Sequence, residues 1–311
     1  DPSNPVEGQV WYNSTTGALK GAAAATSESW ITGGNLNTAR NNLAGSGNQT
    51  NALAFAGNDS GGSEVGNTES YDGTTWTEVS DITSARALLA GAGTATSALA
   101  FGGNPFPNGA KTESWNGSSW TETTDLNTAR YGAAGAGVSN TSAIAFGGAN
   151  LTTSVGNAET WNGSSWTEVA DFNTARQQMA GAGTQTSALA IAGNKPGTGI
   201  TPEVESWNGS SWTEVGDVNT QRYILSASGT DNTVALAFGG DTPPVTGATE
   251  SWNGSSWTEV ADLNIARRQL AGNGTTNTTA IAFGGGTPTL TASTEEFKGV
   301  GAVITRTFTT S

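Results

Sequence analysis

The phrase TESWNGSSWTE occupies residues 112–122 and recurs, intact or nearly so, at 68–78, 158–168, 204–214 and 249–259. Six tryptophans (Trp30, Trp76, Trp120, Trp166, Trp212 and Trp257) are each followed ten residues later by an arginine. Those arginines lie 46, 44, 46, 46 and 45 residues apart. A period this strict means six copies of one supersecondary unit, each packed against its neighbours.

Within a unit the apolar pattern has period two, which is the strand period. TSALAFGG at 96–103 alternates small or polar residues with apolar ones and ends on paired glycines, and ARALLAGAGT at 85–94 precedes it as a strand of small residues. TESYDG and TTWTEVSD supply two more short strands, joined by a tight turn for which Asn-Gly or Asp-Gly is suited. Four antiparallel strands at this period predict a blade of a β-propeller. The expected fold is therefore all-β, with six blades. A thin four-stranded sheet has two apolar faces and no helix to cover them, so the repeated tryptophans fill the wedge between blades, each burying roughly 150–250 Å².

The chain's two ends predict how the ring closes. The sixth unit reaches STEEFKG at 293–299 without a following WTE, whereas the chain opens with SESWITGG, an orphan fourth strand. Residues near 28–33 should therefore become the outermost strand of the last blade, removing an exposed sheet edge. The expected organisation is an extension or hairpin over 1–26, the propeller over 27–299 and a C-terminal strand or extension over 300–311. The absence of a visible leader before Asp1 reads as a trimmed or excised segment.

Composition narrows the chemistry. The 311 residues contain no cysteine and no histidine, so the usual zinc, copper and haem ligands and any Ser-His-Asp or Cys-His arrangement are missing. No cofactor and no metal is expected. With four lysines and eight arginines in a chain of net charge −14, nucleic acid is not an expected partner. No apolar run is long enough to insert in a membrane.

The diglycines Gly102-Gly103, Gly147-Gly148, Gly239-Gly240 and Gly284-Gly285, each followed by an aromatic and then a second aromatic after a turn, resemble the kelch repeat across about 28–299. Blades one and four depart from it with Ala56-Gly57 and Ala192-Gly193, and the aromatic pair is only five residues apart. No Gly-His supports a WD repeat. The phrasing as a whole is similar to kelch-like propellers of marine bacteriophage structural proteins, and DPSNPVEGQVWYNSTTG resembles short modules of phage tail and fibre proteins. This resemblance implies a non-enzymatic structural or attachment module, in a virion or outside a cell. It would bind a host-surface glycan or protein, with other virion proteins as partners through its termini.

Alternating strands put the second-to-third loops and the fourth-to-first loops on one face. The second-to-third loops differ in every unit (NDSGGSEVGN, NPFPNGAK, ANLTTSVGN, NKPGTGITPEV, DTPPVTGA, GTPTLTAS), while the turns on the other face barely change. Variation on a repeated frame is where recognition concentrates. In kelch propellers, arginines at the start of the inner strand can bind acidic peptides; the resemblance would assign that role to Arg40, Arg86, Arg130, Arg176, Arg222 and Arg267. Each also stands five residues after Asp81, Asp125, Asp171, Asp217 or Asp262 (Asn35 in the first unit) and near the recurring Glu of TES. An ion pair pinning the loop is the simpler account. The residue after each arginine varies, giving Tyr131, Tyr223, Gln177 and Arg268 as further ligand-binding candidates. The two tyrosines suit stacking on a sugar ring as well as packing against a loop. A carbohydrate-active enzyme needs one particular carboxylate pair. The glutamates here are copied through every unit, which argues against that alternative.

Overall fold

The computed structural model describes residue 2 and residues 5–308. Among these residues, six four-stranded antiparallel sheets stand around one axis. The innermost strands are Ala44–Asn48, Ala90–Thr94, Ala134–Ser139, Ala180–Thr184, Ser226–Asp231 and Ala271–Thr276; each touches the innermost strands of both neighbours, and the sixth returns to the first. The ring is thus a closed six-bladed β-propeller. Blade 2 shows the plan: Ala90–Thr94, Ser97–Phe101, Thr112–Trp115 and Trp120–Glu122, in sequence order from axis to rim.

Closure follows the sequence expectation. Ser29–Thr32 pairs with Thr294–Lys298 as the outer strand of blade 6, opposing Trp30 to Phe297. The hairpins work as their residues dictate. In blade 2 the Asn116 side chain accepts from the backbone amides of Ser118 and Ser119, while Gly117 takes φ +96°, so Trp115 and Trp120 face each other across the strands.

The blades meet through a recurring contact. The phenylalanine ending a second strand packs on the fourth-strand tryptophan of the next blade: Phe55 on Trp120, Phe101 on Trp166, Phe146 on Trp212, Phe238 on Trp30 and Phe283 on Trp76, at centroid distances of 4.9–5.1 Å. The same rings press on the next blade's inner strand, which must carry glycine there. A Cβ on Gly135 would stand 2.5 Å from the Phe101 ring, and one on Gly91 2.8 Å from Phe55. Blade 4 ends its second strand with Ile191 instead, and blade 5 has Ala227 where the others have glycine. A smaller plug leaves room for a methyl.

Each diglycine also has a geometric cause. The amide of its second glycine donates to the carbonyl of the next blade's frame arginine, as Gly103 does to Arg130 at 2.9 Å. A Cβ at Gly103 would lie 2.9 Å from the Ala87 carbonyl oxygen. The first position holds positive φ even where alanine replaces glycine, at Ala56 (+62°) and Ala192 (+57°).

Outside the ring, Val10–Asn13 and Ala18–Ala24 form the hairpin expected from GQVWYNSTTGALK, and Val303–Phe308 adds to it as a third strand. Hydrogen bonds between Ala25 and the stretch Gly301–Ala302 bring the two chain ends together. Asp1, Ser3, Asn4 and residues 309–311 of the expected extensions lie outside the described residues.

Candidate functional site

The six frame arginines are completely buried, at 0% exposure, rather than open to the channel mouth. Each forms an ion pair with the TES glutamate of its own blade: Arg40–Glu69, Arg86–Glu113, Arg130–Glu159, Arg176–Glu205, Arg222–Glu250 and Arg267–Glu295, at 2.5–3.2 Å. The preceding loop wraps the same carboxylate. In blade 3 the amides of Asn127 and Thr128 and the Asn127 side chain all donate to Glu159, which is 1% exposed. Of the two carboxylates near each arginine in sequence, the glutamate takes the guanidinium. Asp81, Asp125 and Asp262 instead accept the amides of Thr68, Thr112 and Thr249 at the start of the third strand.

The guanidiniums adopt two poses. Arg86 and Arg176 donate through Nε to the carbonyls of Gly102 and Ala192. In Arg40, Arg130, Arg222 and Arg267 the Nε is buried without an acceptor. Burial holds Arg40, Arg130 and Arg222 below the ordinary arginine pKa, with the paired glutamates offsetting part of the effect. It takes Arg267 down to about 10. Lost hydration of the cation is the cause.

The next two residues reach the axis on the variable-loop face. Asn41, Ala87, Tyr131, Gln177, Tyr223 and Arg268 bridge to the residue following each Gly or diglycine corner, as Tyr131 does to Ala149 and Tyr223 to Asp241. Tyr131 is half-buried and lies edge-on to Phe106 of the blade 2 loop at 6.1 Å. Tyr223 and Gln177 are also half-buried. Arg268, 39% exposed, pairs with Oδ2 of Asp241, whose other oxygen is buried without a partner. Candidates that sequence grouped together thus divide into six buried frame cations and a half-exposed set around the mouth.

One residue further on is a feature that the sequence pattern did not reveal. Asn42, Leu88, Gly132, Gln178, Ile224 and Gln269 all have φ between +48° and +60°. The amide of each donates to the carbonyl of its counterpart in the preceding blade, from Leu88 to Asn42 round to Asn42 to Gln269, at 2.7–2.9 Å. The result is a closed belt of six main-chain hydrogen bonds around the axis. A left-handed conformation costs an L-residue about 1–2 kcal/mol, and for β-branched Ile224 it is a genuine outlier. Satisfying every one of these axial amides holds it in place. The available signal was that this position, two after each arginine, differs in nearly every unit.

The belt surrounds an open axial recess lined by the belt residues together with Leu43, Leu89, Ala133, Met179, Leu225 and Leu270. Among the described residues, no cluster of Asp or Glu is arranged to hold a metal ion. No protein-family model matches the chain, and neither does any curated protein.

Proposed function

We propose that the chain is a non-enzymatic, kelch-like attachment module of a phage virion or a cell surface. It binds a host glycan or protein through the variable-loop face. The observation that carries this reading is the division between frame and face. The charged residues repeated in every blade are buried and engaged with one another, as in Arg130–Glu159, while the half-exposed side chains that differ between blades gather around one mouth. Glu159, a copied and buried glutamate, accepts from an arginine, two backbone amides and the Asn127 side chain, so its roughly four lone pairs are all engaged, which favours binding over turnover. The same burial counts against an acidic-peptide hub at the arginine ring, since a peptide carboxylate would have to displace Glu159 and its equivalents.

A glycan array probed with the labelled chain, beside a titration with an acidic peptide, tests the reading. Glycan binding that Phe106→Ala or Tyr223→Ala weakens without changing the melting temperature supports it. Salt-sensitive peptide binding with an empty array transfers the role to the hub, and cleavage of any polysaccharide overturns the non-enzymatic part.

A further inference from the structure

The large hydrophobic side chains that stand in solvent are not spread evenly. Among the described residues nine are exposed, and six of them (Val6, Val10, Tyr12, Leu19, Ile31 and Val300) come from the closing strand and the stretches where the two chain ends meet. Three share one face of the terminal sheet. The register sets Tyr12 opposite Leu19 and Val10 opposite Gly21, and directly opposed residues point to the same side. Val10, Tyr12 and Leu19 are 57%, 65% and 46% exposed, whereas Trp11 and Asn13, which alternate with them, are half-buried. Ile304 of the third strand pairs with Ala23 and lies on that same outer face.

Charge divides along the same line. Residues 1–24 and 300–311 hold two acidic and two basic side chains, Asp1, Glu7, Lys20 and Arg306, so the whole net charge of −14 belongs to the rest of the chain. Among the described side chains on the outer face of the sheet, none is charged. The rims of the blades differ. Five fourth strands carry a glutamate at their third residue (Glu78, Glu122, Glu168, Glu214 and Glu259), which sets like charges against each other if two copies pair edge to edge. A second acidic copy is thus repelled at the ring and meets no charge on the terminal sheet.

The place of this sheet leaves the variable loops free. Third strands end and fourth strands begin at the turns that barely change, on the face opposite those loops. In blade 6 the chain ends replace that hairpin. Gly299, just past the third strand, donates at 2.8 Å to the carbonyl of Thr278, in the turn between the first and second strands of the same blade. The terminal sheet therefore leaves the ring on the side away from the variable loops.

We propose that the outer face of the terminal sheet is a self-association surface, on which a second copy of this chain seats the same face about a two-fold axis. Val10, Tyr12 and Leu19 of one copy pack on those of the other. Charge selects this occupant. An uncharged patch gives a charged partner nothing to pair with, whereas the chain's own copy presents a matching apolar area. Repulsion between the rings beyond it falls off within about 8–10 Å at ordinary salt. Such a dimer keeps both variable-loop faces open and so engages a repetitive surface at two places at once. Pairing does not depend on what those faces bind.

Sedimentation equilibrium over a concentration series tests the pairing. The parent is expected to be a reversible dimer in the weak, micromolar class of small interfaces. Tyr12→Glu and Leu19→Gln change exposed side chains, so both should melt like the parent, and each is expected to weaken the dimer by about tenfold or more. Added sodium chloride should leave pairing unchanged or tighten it, because it screens the charge on the rings. Thr32→Glu gives the closing strand the acidic residue that the other five carry and should leave the dimer intact. A parent that stays monomeric up to about 1 mM, the affinity of a barely favourable contact, overturns the proposal. A dimer that salt breaks up overturns it too, as does one that both folded sheet variants leave at parent strength. Loss of the dimer in Thr32→Glu moves the contact to the rim of blade 6 and has the same consequence.

Discussion

The junction between blades 2 and 3 and the junction between blades 4 and 5 perform the same task with different residues. In the first, Phe101 fills the wedge against Gly135 and Trp166, and the Trp166 Nε1 donates to Thr112 Oγ1. In the second, Ile191 replaces the phenylalanine, Ala227 replaces the glycine and Val204 stands where the threonine would be. The Trp257 Nε1 turns to the Gly216 carbonyl at 2.9 Å instead. Blade 3 shows half of the exchange: with Ala158 in the threonine position, Trp212 donates to the Ala170 carbonyl. What the ring preserves is filled volume and a partner for each buried indole N–H, since voids and unpaired donors both cost free energy. Residue identity is free to change as long as its counterpart across the wedge changes with it.

The largest effect expected at either junction comes from the frame cation beside it. Arg176→Met leaves Glu205 buried and unpaired, and is expected to destabilise by about 3–5 kcal/mol in urea denaturation. Arg130→Met should cost less, because Arg130 already leaves its Nε without an acceptor whereas Arg176 satisfies it. Equal losses would show that the two poses are energetically equivalent.

Next in size is the plug. Ile191→Phe overfills the wedge above Ala227 and should destabilise by about 1–3 kcal/mol. Adding Ala227→Gly should restore most of that loss, with a coupling energy of about 1 kcal/mol or more in a double-mutant cycle. Additive effects would break the comparison, since the two residues would then not share the wedge.

A smaller change is expected from Thr112→Val, which copies Val204 into the first junction. If Trp166 redirects its N–H to a backbone carbonyl as Trp257 does, the cost stays near 1 kcal/mol by thermal melting. A loss well above that would mean that the blade 2 backbone offers no substitute acceptor of the kind that blades 3 and 4 supply. The smallest effect has the opposite sign. Ala192, also in blade 4, holds φ +57° where blade 2 has Gly102 at +70°, so Ala192→Gly should stabilise by a few tenths to about 1 kcal/mol. No gain would show that the alanine is held there without strain.

Much of the fold was legible because a repeat states its own periodicity. Trp30 and the missing last WTE were enough to predict which strand closes the ring, and Asn116-Gly117 to predict the hairpin that sets Trp115 opposite Trp120. The candidate site was legible only in part. Sequence spacing placed both Asp125 and Glu159 within plausible reach of Arg130, and it cannot rank two carboxylates whose distances depend on how a loop folds back. It singled out Tyr131 and Tyr223 but passed over Gly132 and Ile224 beside them, because nothing in a residue's type announces a left-handed backbone at isoleucine.

The sequence by itself determined the six blades, their four strands, the order of the strands and the face that varies. Those properties follow from local alternation and from copy number, which add along the chain. Only the tertiary structure decided which carboxylate meets each arginine, and only it joined six separate amides into a belt that encloses an uncharged recess. Both depend on groups tens to hundreds of residues apart reaching hydrogen-bonding distance once water is excluded, and the burial that makes those bonds obligatory exists only after the ring has closed.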